Sequence, residues 1–147
     1  MSRPLIAVLA LTVALFSPWA LAEQIVRDGD VIIHHSAVRT TLLTPEVAQR
    51  FGVRRSRNQA LLVLNAQRDE GGPLPKPIPA TATGYATTLL GHRQTLRLTP
   101  KREGDVHYVL ATFETLNGEY ITLDLQVTPE GHNNPIAVRW QQQFYND

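Results

Sequence analysis

Residues 44–64 read TPEVAQRFGVRRSRNQALLVL and predict three elements in succession: a short helix, a basic turn and a strand. The Thr44 hydroxyl can cap the first turn of the helix, and Pro45 has the backbone angle favoured at the first helical position. Glu46 complements the positive end of the helix dipole. Gly52 can adopt the left-handed geometry that commonly ends a helix. We therefore expect a helix of about two turns.

A buried strand should follow the basic turn. Residues 53–58 read VRRSRN, and residues 60–64 read ALLVL. The apolar run is too short for a typical helix, and it lacks the alternating polarity of a strand with one wet face. We expect a central strand that is covered on both faces.

Stretches rich in β-branched residues or alternating in polarity indicate the other strands. We place these strands at residues 31–38, at residues 80–90, at residues 95–99, on either side of Asn117-Gly118, and at residues 136–145. The glycine within residues 80–90 suggests an edge strand or a bulge. Residues 69–79, DEGGPLPKPIP, predict an extended and exposed connection without regular structure, because they are rich in glycine and proline.

The strands that flank Asn117-Gly118 suggest a hairpin with a three-residue loop. A two-residue turn would set polar residues opposite apolar ones, whereas a loop over residues 116–118 matches apolar partners. This register pairs Phe113 with Ile121, Ala111 with Leu123, and Val109 with Leu125. It leaves the opposite face of the second strand in contact with water.

These elements predict a mainly β fold. About seven short strands, spaced by roughly ten residues, favour an immunoglobulin-like antiparallel β-sandwich with one short α-helix after the first strand. A small barrel is the alternative architecture.

The amino-terminal residues predict export. Residues 1–22 combine Arg3, an apolar segment and the small-residue end ALA, which is typical of a cleaved secretory signal peptide. We expect residues 23–147 to form a single domain in the periplasm, without a stable membrane anchor after cleavage. The chain has no cysteine, so the fold must hold without disulfides. Without Arg3, the 14 basic residues become 13 and balance the 13 acidic ones, and this balanced charge argues against nucleic-acid binding.

The sequence TPEVA at residues 44–48, followed by Gly52 and by RSRN at residues 55–58, resembles domain-of-unknown-function family 4426, a group of small exported bacterial proteins. The resemblance continues in Asn117-Gly118, in VTP at residues 127–129 and in QFY at residues 143–145. It implies a β-sandwich and a periplasmic location, and it implies no reaction. In the family pattern HYNAF precedes the helix, whereas this chain has HHSAV at residues 34–38. A site that uses the tyrosine and the asparagine is therefore not expected here.

The clearest candidate site is an anion pocket built from guanidinium groups, which can grip carboxylate or phosphate in a two-pronged fashion. Three arginines of the basic turn would form it near Arg68, although an exposed, solvated turn is the simpler interpretation. The candidate binding residues are His34, Arg54, Arg55, Arg57, Asn58 and Arg68. His34 could instead be a hydrogen-bonded core histidine.

Neither catalytic residues nor metal ligands follow from the sequence. Serine, histidine and aspartate are present without a glycine-flanked nucleophile motif. His34 and His35 are adjacent on a predicted strand, so they point to opposite faces and cannot easily share one ion. We predict no cofactor.

The sequence favours a non-enzymatic periplasmic binding or protein-interaction module and leaves an enzyme open. Its partner would be a periplasmic protein, engaged by an exposed edge strand or by a surface contact. The alternative is a protein that binds a small anion or small molecule, or a weak hydrolase. In that case a cleft would lie between the 44–58 unit and the 69–79 connection.

Overall fold

The computed structural model describes residues 24–146, and within this range it contains ten strands, one α-helix and one 3-10 turn. The strands are β1 (Gln24–Asp28), β2 (Val31–Arg39), β3 (Gln59–Arg68), β4 (Lys76–Ile78), β5 (Ala80–Thr88), β6 (Arg93–Thr95), β7 (Thr99–Glu103), β8 (Val106–Glu114), β9 (Glu119–Pro129) and β10 (Ile136–Phe144). The helix α1 spans Pro45–Phe51, and the 3-10 turn spans Thr40–Leu42.

The strands form two antiparallel sheets that pack face to face. The six-stranded sheet has the order β1-β2-β3-β8-β7, with β4 also paired to β3, and the four-stranded sheet has the order β10-β9-β5-β6. The main core lies between the sheets, where every second residue of the long strands is buried. The predicted fold class, an antiparallel β-sandwich with one short helix, is confirmed. The number of strands is higher than the predicted seven.

The predicted central strand is confirmed as β3, which pairs with β2 on one side and with β8 on the other. Leu62 and Leu64 face the main core between the sheets. Leu61 faces the opposite way and belongs to a second, smaller apolar cluster on the outer face of the six-stranded sheet. This smaller cluster explains why the sequence of β3 is apolar on both faces.

The predicted helix is also confirmed. The Thr44 hydroxyl accepts a hydrogen bond from the Val47 amide at 3.3 Å, and Pro45 occupies the first turn. Gly52 ends the helix with φ at 68°, in the left-handed region. The helix lies after the strand that we predicted to be first, but β1 precedes that strand and forms a hairpin with it through the turn at Gly29 and Asp30.

Two predicted segments differ from the structure. Residues 69–79 include β4, which returns along the end of β3, and Pro77 is tolerated because β4 is a short edge strand. Residues 95–99 do not form one strand. Thr95 ends β6 and Thr99 begins β7, so the chain crosses here from the four-stranded sheet to the six-stranded sheet. The alternation that suggested a strand still holds, because Leu96 and Leu98 both turn toward the main core.

The predicted hairpin around Asn117-Gly118 is wrong. Strand β8 pairs with β3 and β7, whereas β9 pairs with β10 and β5, so the two strands belong to different sheets. The residues predicted to be partners, such as Phe113 and Ile121, instead belong to different sheets and both face the main core. The turn itself has left-handed geometry at Gly118, with φ at 75°, and the polar residues of β9 face solvent as expected.

Strand β5 lies inside its sheet, which corrects the edge-strand expectation for its second half. It pairs with β9 along its length and with β6 at residues 85–87. Gly84 lies close to the neighbouring strand, because a Cβ atom there would lie 2.4 Å from the Asp124 carbonyl oxygen. The glycine therefore marks a close approach of two backbones.

The predicted signal peptide at residues 1–22 lies outside the described residues, and the single-domain organisation of residues 23–147 stays a prediction. Among residues 24–146, no helix is both long and apolar enough to cross a bilayer.

Candidate ligand-binding cleft

A cleft of about 320 Å³ lies on the outer face of the six-stranded sheet, beside the end of α1. Leu61 of β3 and Leu110 of β8 form its floor, and both are buried. Phe51 and Val53 line the cleft from the helix side. These side chains belong to the smaller apolar cluster, so the cleft is an opening in a hydrophobic layer.

The end of α1 positions that apolar wall. Left-handed geometry at Gly52 lets the chain reverse, and the Val53 amide then donates to the Ala48 carbonyl at 2.8 Å. The Phe51 ring packs edge-on against Tyr108 of β8, with ring centroids 5.4 Å apart. An ion pair of 3.2 Å between Arg50 and Glu103 joins the helix to β7. The wall is thus fixed to both β7 and β8.

Two cations line the other side of the cleft. Arg97, on the crossing between the sheets, and Lys101, on β7, line it together with Thr99 and Thr112. Within residues 24–146, no hydrogen bond or ion pair engages the side chain of Arg97 or Lys101. The cleft therefore combines an apolar floor, two hydroxyl groups and two cations available for a ligand, which suits a molecule with an apolar body and an anionic group.

The predicted arginine site divides into separate places. Arg54, Arg55 and Arg57 follow the cleft wall in sequence and are exposed, and none of them lines the cleft. Arg55 donates to the Thr41 carbonyl at 3.0 Å. Arg68 lies at the other end of β3, where it contacts Asp30 at 3.4 Å and donates to the Glu130 carbonyl at 2.8 Å. Strand β3 separates Arg68 from the basic turn by about 30 Å, so the structure does not bring these residues together in one pocket. Anion binding by the arginines of the turn stays a prediction.

The basic turn is held by buried polar residues of the preceding strand. The Arg39 guanidinium donates to the carbonyls of Arg57 and Leu116, the latter at 3.1 Å. Thr40, which is fully buried, accepts from the Ser56 amide at 2.8 Å and donates to the Ser56 carbonyl at 2.9 Å. These bonds anchor the backbone of the RSRN segment to the end of β2 and the residue after it, which gives the segment a structural role.

Asn58 lies in a second concavity, of about 360 Å³, at the end of the sandwich. Several of the polar groups there bond to one another. The Gln94 side chain exchanges two hydrogen bonds of 2.8 Å with the Glu114 backbone, and the Glu119 carboxylate accepts from the Leu116 amide at 2.7 Å. Because these groups already have partners, we regard the cleft beside α1 as the better candidate for ligand binding.

The core histidine of the pair is His35 and not His34. His34 is half-buried and contacts the Gln67 side chain at 2.9 Å, whereas His35 is the core histidine. The His35 ring contacts Trp140, with ring centroids 4.2 Å apart and the ring planes tilted by 43°. Burial lowers the pKa of His35, and the nearby His34 lowers it further. Within the described part of the chain, no three histidine, cysteine or carboxylate side chains come together as a metal site would require.

The residues that line the cleft opposite the helix were not predicted from the sequence. Arg97 and Lys101 follow α1 by more than 40 residues, and only the crossing between the sheets brings them to it. The available signal was the alternation of Leu96 and Leu98 with Arg97 and Thr99, which places the cation on the side away from the core.

A family model described as "Domain of unknown function (DUF4426)" matches residues 25–147. A DUF4426 family protein from Pseudomonas aeruginosa PAO1 has a similar structure, with a TM-score of 0.71, 26% identity, and coverage of 85% of this chain and 96% of that one. Comparison with curated proteins gave no significant match.

Two structures of FetP from uropathogenic Escherichia coli strain F11 share the fold at 12% identity. FetP expressed in the periplasm of E. coli has a TM-score of 0.60, with 84% of this chain and 94% of that one covered. The copper-bound E46Q variant of FetP has a TM-score of 0.57, and the match covers 85% of this chain and 91% of that one.

Proposed function

The chain belongs to the DUF4426 family, and from that premise we propose that it is a non-enzymatic periplasmic binding protein whose ligand occupies the cleft beside α1. The ligand class is a small amphiphilic anion, with an apolar body and one carboxylate or phosphate group. The predicted signal peptide and the likeness to FetP, which was expressed in the periplasm, support the location. We do not carry copper over to this chain, because 12% identity relates the folds alone.

One observation carries the proposal: the apolar floor of Leu61 and Leu110 is flanked by Arg97 and Lys101, which lack partners among residues 24–146. A cation beside an apolar surface in a concave site strengthens its attraction for an anion, because part of the surrounding water is excluded. The volume of about 320 Å³ lies at the lower end of the range for small-molecule sites. The lining residues can hold and orient such a ligand.

Thermal unfolding with octanoate as the probe tests this function, and octanol serves as the neutral probe of the same chain length. Octanoate at about 100 times its dissociation constant should stabilise the protein by about 2.7 kcal/mol, because it binds only the folded state. The double variant Arg97→Gln and Lys101→Gln should bind octanoate about tenfold more weakly, since two charge-assisted contacts are lost. Its affinity for octanol should stay the same.

A matched double variant, Arg54→Gln and Arg57→Gln, controls for the change in net charge. Both arginines are exposed cations outside the cleft, so this variant should respond to octanoate as the wild type does. The proposal fails if octanoate does not stabilise the wild type. It also fails if the affinity for octanoate falls by the same factor in both double variants, because the effect would then reflect net charge alone.

A further inference from the structure

Among residues 24–146, strand β10 is an unpaired sheet edge with little of the usual protection. It ends the four-stranded sheet, spans nine residues, and contains no proline, glycine or lysine. The other edge strands are short or blunted: β4 and β6 have three residues each, β1 has five, and β7 contains Pro100 and Lys101. Proteins generally protect edges with such features, because an open edge can pair with another strand.

The sheet register identifies which backbone amides and carbonyls of β10 point outward from the sheet. The Gly84 carbonyl of β5 accepts from the Leu96 amide at 2.9 Å, so the backbone groups of Gly84 point away from β9. Its partner Leu125 therefore points its own groups toward β10, where it pairs with Val138. Every second residue of β10, counted from Val138, thus bonds to β9. The outward amides and carbonyls belong to Ala137, Arg139, Gln141 and Gln143.

A second copy of the chain does not fit this edge. Strand β10 lies over β2, as shown by the ring contact of Trp140 with His35 and by the 2.9 Å hydrogen bond from the Gln142 side chain to the Ala37 carbonyl. Strand β1 lies one strand beyond β2 and so extends beneath the space next to β10. Two copies joined at β10 would place β1 of one copy where the other needs its β2. A single added strand has no such conflict.

The surroundings define the chemistry of that strand. Its inner side would face β1, where Val26 is half-buried and packs against the main core, so apolar side chains fit there. Its outer side would lie next to Arg139, the one charged residue of β10. The Arg139 side chain is 71% exposed and lies 3.9 Å from Asp124. An acidic residue opposite Arg139 would make a favourable cross-strand pair.

We propose that β10 binds an extended segment of a partner protein by strand addition, and that this segment alternates apolar residues with polar ones and places an acidic residue opposite Arg139. The added strand would become the fifth strand of the smaller sheet and would satisfy the four outward pairs of backbone groups. This surface lies apart from the cleft beside α1, whose lining includes no residue of β10.

Two labelled nine-residue peptides test the proposal by fluorescence anisotropy with the full-length chain. One is Thr-Val-Thr-Val-Glu-Val-Thr-Val-Thr, and the other has lysine in place of the glutamate. The glutamate peptide should bind about threefold more tightly than the lysine peptide, and Arg139→Gln should abolish the difference. Gln141→Pro removes an outward amide and should weaken binding at least about tenfold, whereas Gln141→Val keeps the amide and should bind as the wild type does.

Hydrogen exchange gives a readout that does not depend on how the variants fold. In the wild type, the glutamate peptide should slow exchange at the amides of Ala137, Arg139, Gln141 and Gln143 and leave the interior of β9 unchanged. Absence of binding by both peptides overturns the proposal, as does equal binding to the proline and valine variants. A dimer in sedimentation analysis that Gln141→Pro dissociates would also overturn it, in favour of self-pairing.

Discussion

Individual buried polar residues explain why the RSRN segment has its sequence. Thr40 is completely buried and exchanges two hydrogen bonds with the backbone of Ser56. Arg39 lies beneath the same turn and donates to the Arg57 carbonyl. A buried polar group is costly unless it is hydrogen-bonded, so these two side chains fix the conformation of the turn. The arginine side chains of the turn are left on the surface.

His35 makes the stability of the protein depend on pH. Burial, and then the charge of His34, lower the pKa of His35 from its ordinary value of 6.5. At acidic pH the unfolded chain therefore binds a proton more readily than the folded chain does. The contribution of neutral His35 to the free energy of unfolding is fully present above about pH 6.5. It is lost as the pH falls toward the lowered pKa of His35 in the folded state.

We expect the free energy of unfolding of the wild type to decrease as the pH falls below about 6.5. The slope should be clearly smaller in His35→Gln, which cannot take up the proton. His34→Gln is the matched control and should keep most of the slope. Urea unfolding at a series of pH values measures the slope of the unfolding free energy against pH. Equal slopes in the wild type and His35→Gln would contradict this role of His35.

At the level of elements, the helix could be predicted accurately because its signals are local. The hydroxyl cap of Thr44, the proline after it and Gly52 lie within nine residues, and each acts on the backbone beside it. Strand pairing is not local. The alternation in residues 109–125 correctly shows which side chains face the core, but the same alternation fits a hairpin and a pair of strands in opposite sheets.

The same distinction applies to the candidate site. The sequence drew attention to the arginines at residues 54–57, because consecutive charges are conspicuous. The wall formed by Phe51 and Val53 belongs to the same local unit and supports the expected position of a cleft near it. The opposite side is formed by residues 97–101 and not by the predicted connection at 69–79, since β4 carries that connection to the far end of β3.

The helix end that shapes the cleft should be sensitive to glycine replacement. Gly52 has φ at 68°, and a Cβ atom added there would meet no other atom within 4 Å. Gly52→Ala should therefore cost about 1–2 kcal/mol of stability through backbone strain alone. Gly72 also has open space and has no positive φ, so Gly72→Ala is a matched control and should be neutral or slightly stabilising. Urea unfolding of the two variants measures the difference, and equal stability would refute the left-handed helix end.

For the molecule as a whole, the two proposed binding surfaces lie on different sheets. The cleft opens on the outer face of the six-stranded sheet, and the open edge belongs to the four-stranded sheet. The core between the sheets is formed by apolar side chains from both, without any disulfide. A sandwich of this kind can present its surfaces independently, so a small ligand and a partner strand could bind at the same time.

The most direct test of the cleft as the ligand site is a titration with octanoate, followed residue by residue in proton–nitrogen correlation spectra. We expect the largest shifts at Gly52, Val53, Lys101 and Thr112, and we expect them to disappear in the Arg97→Gln and Lys101→Gln double variant. Shifts centred instead on the polar concavity at residues 88–94 and 114–119, or on β10, would contradict the cleft as the ligand site.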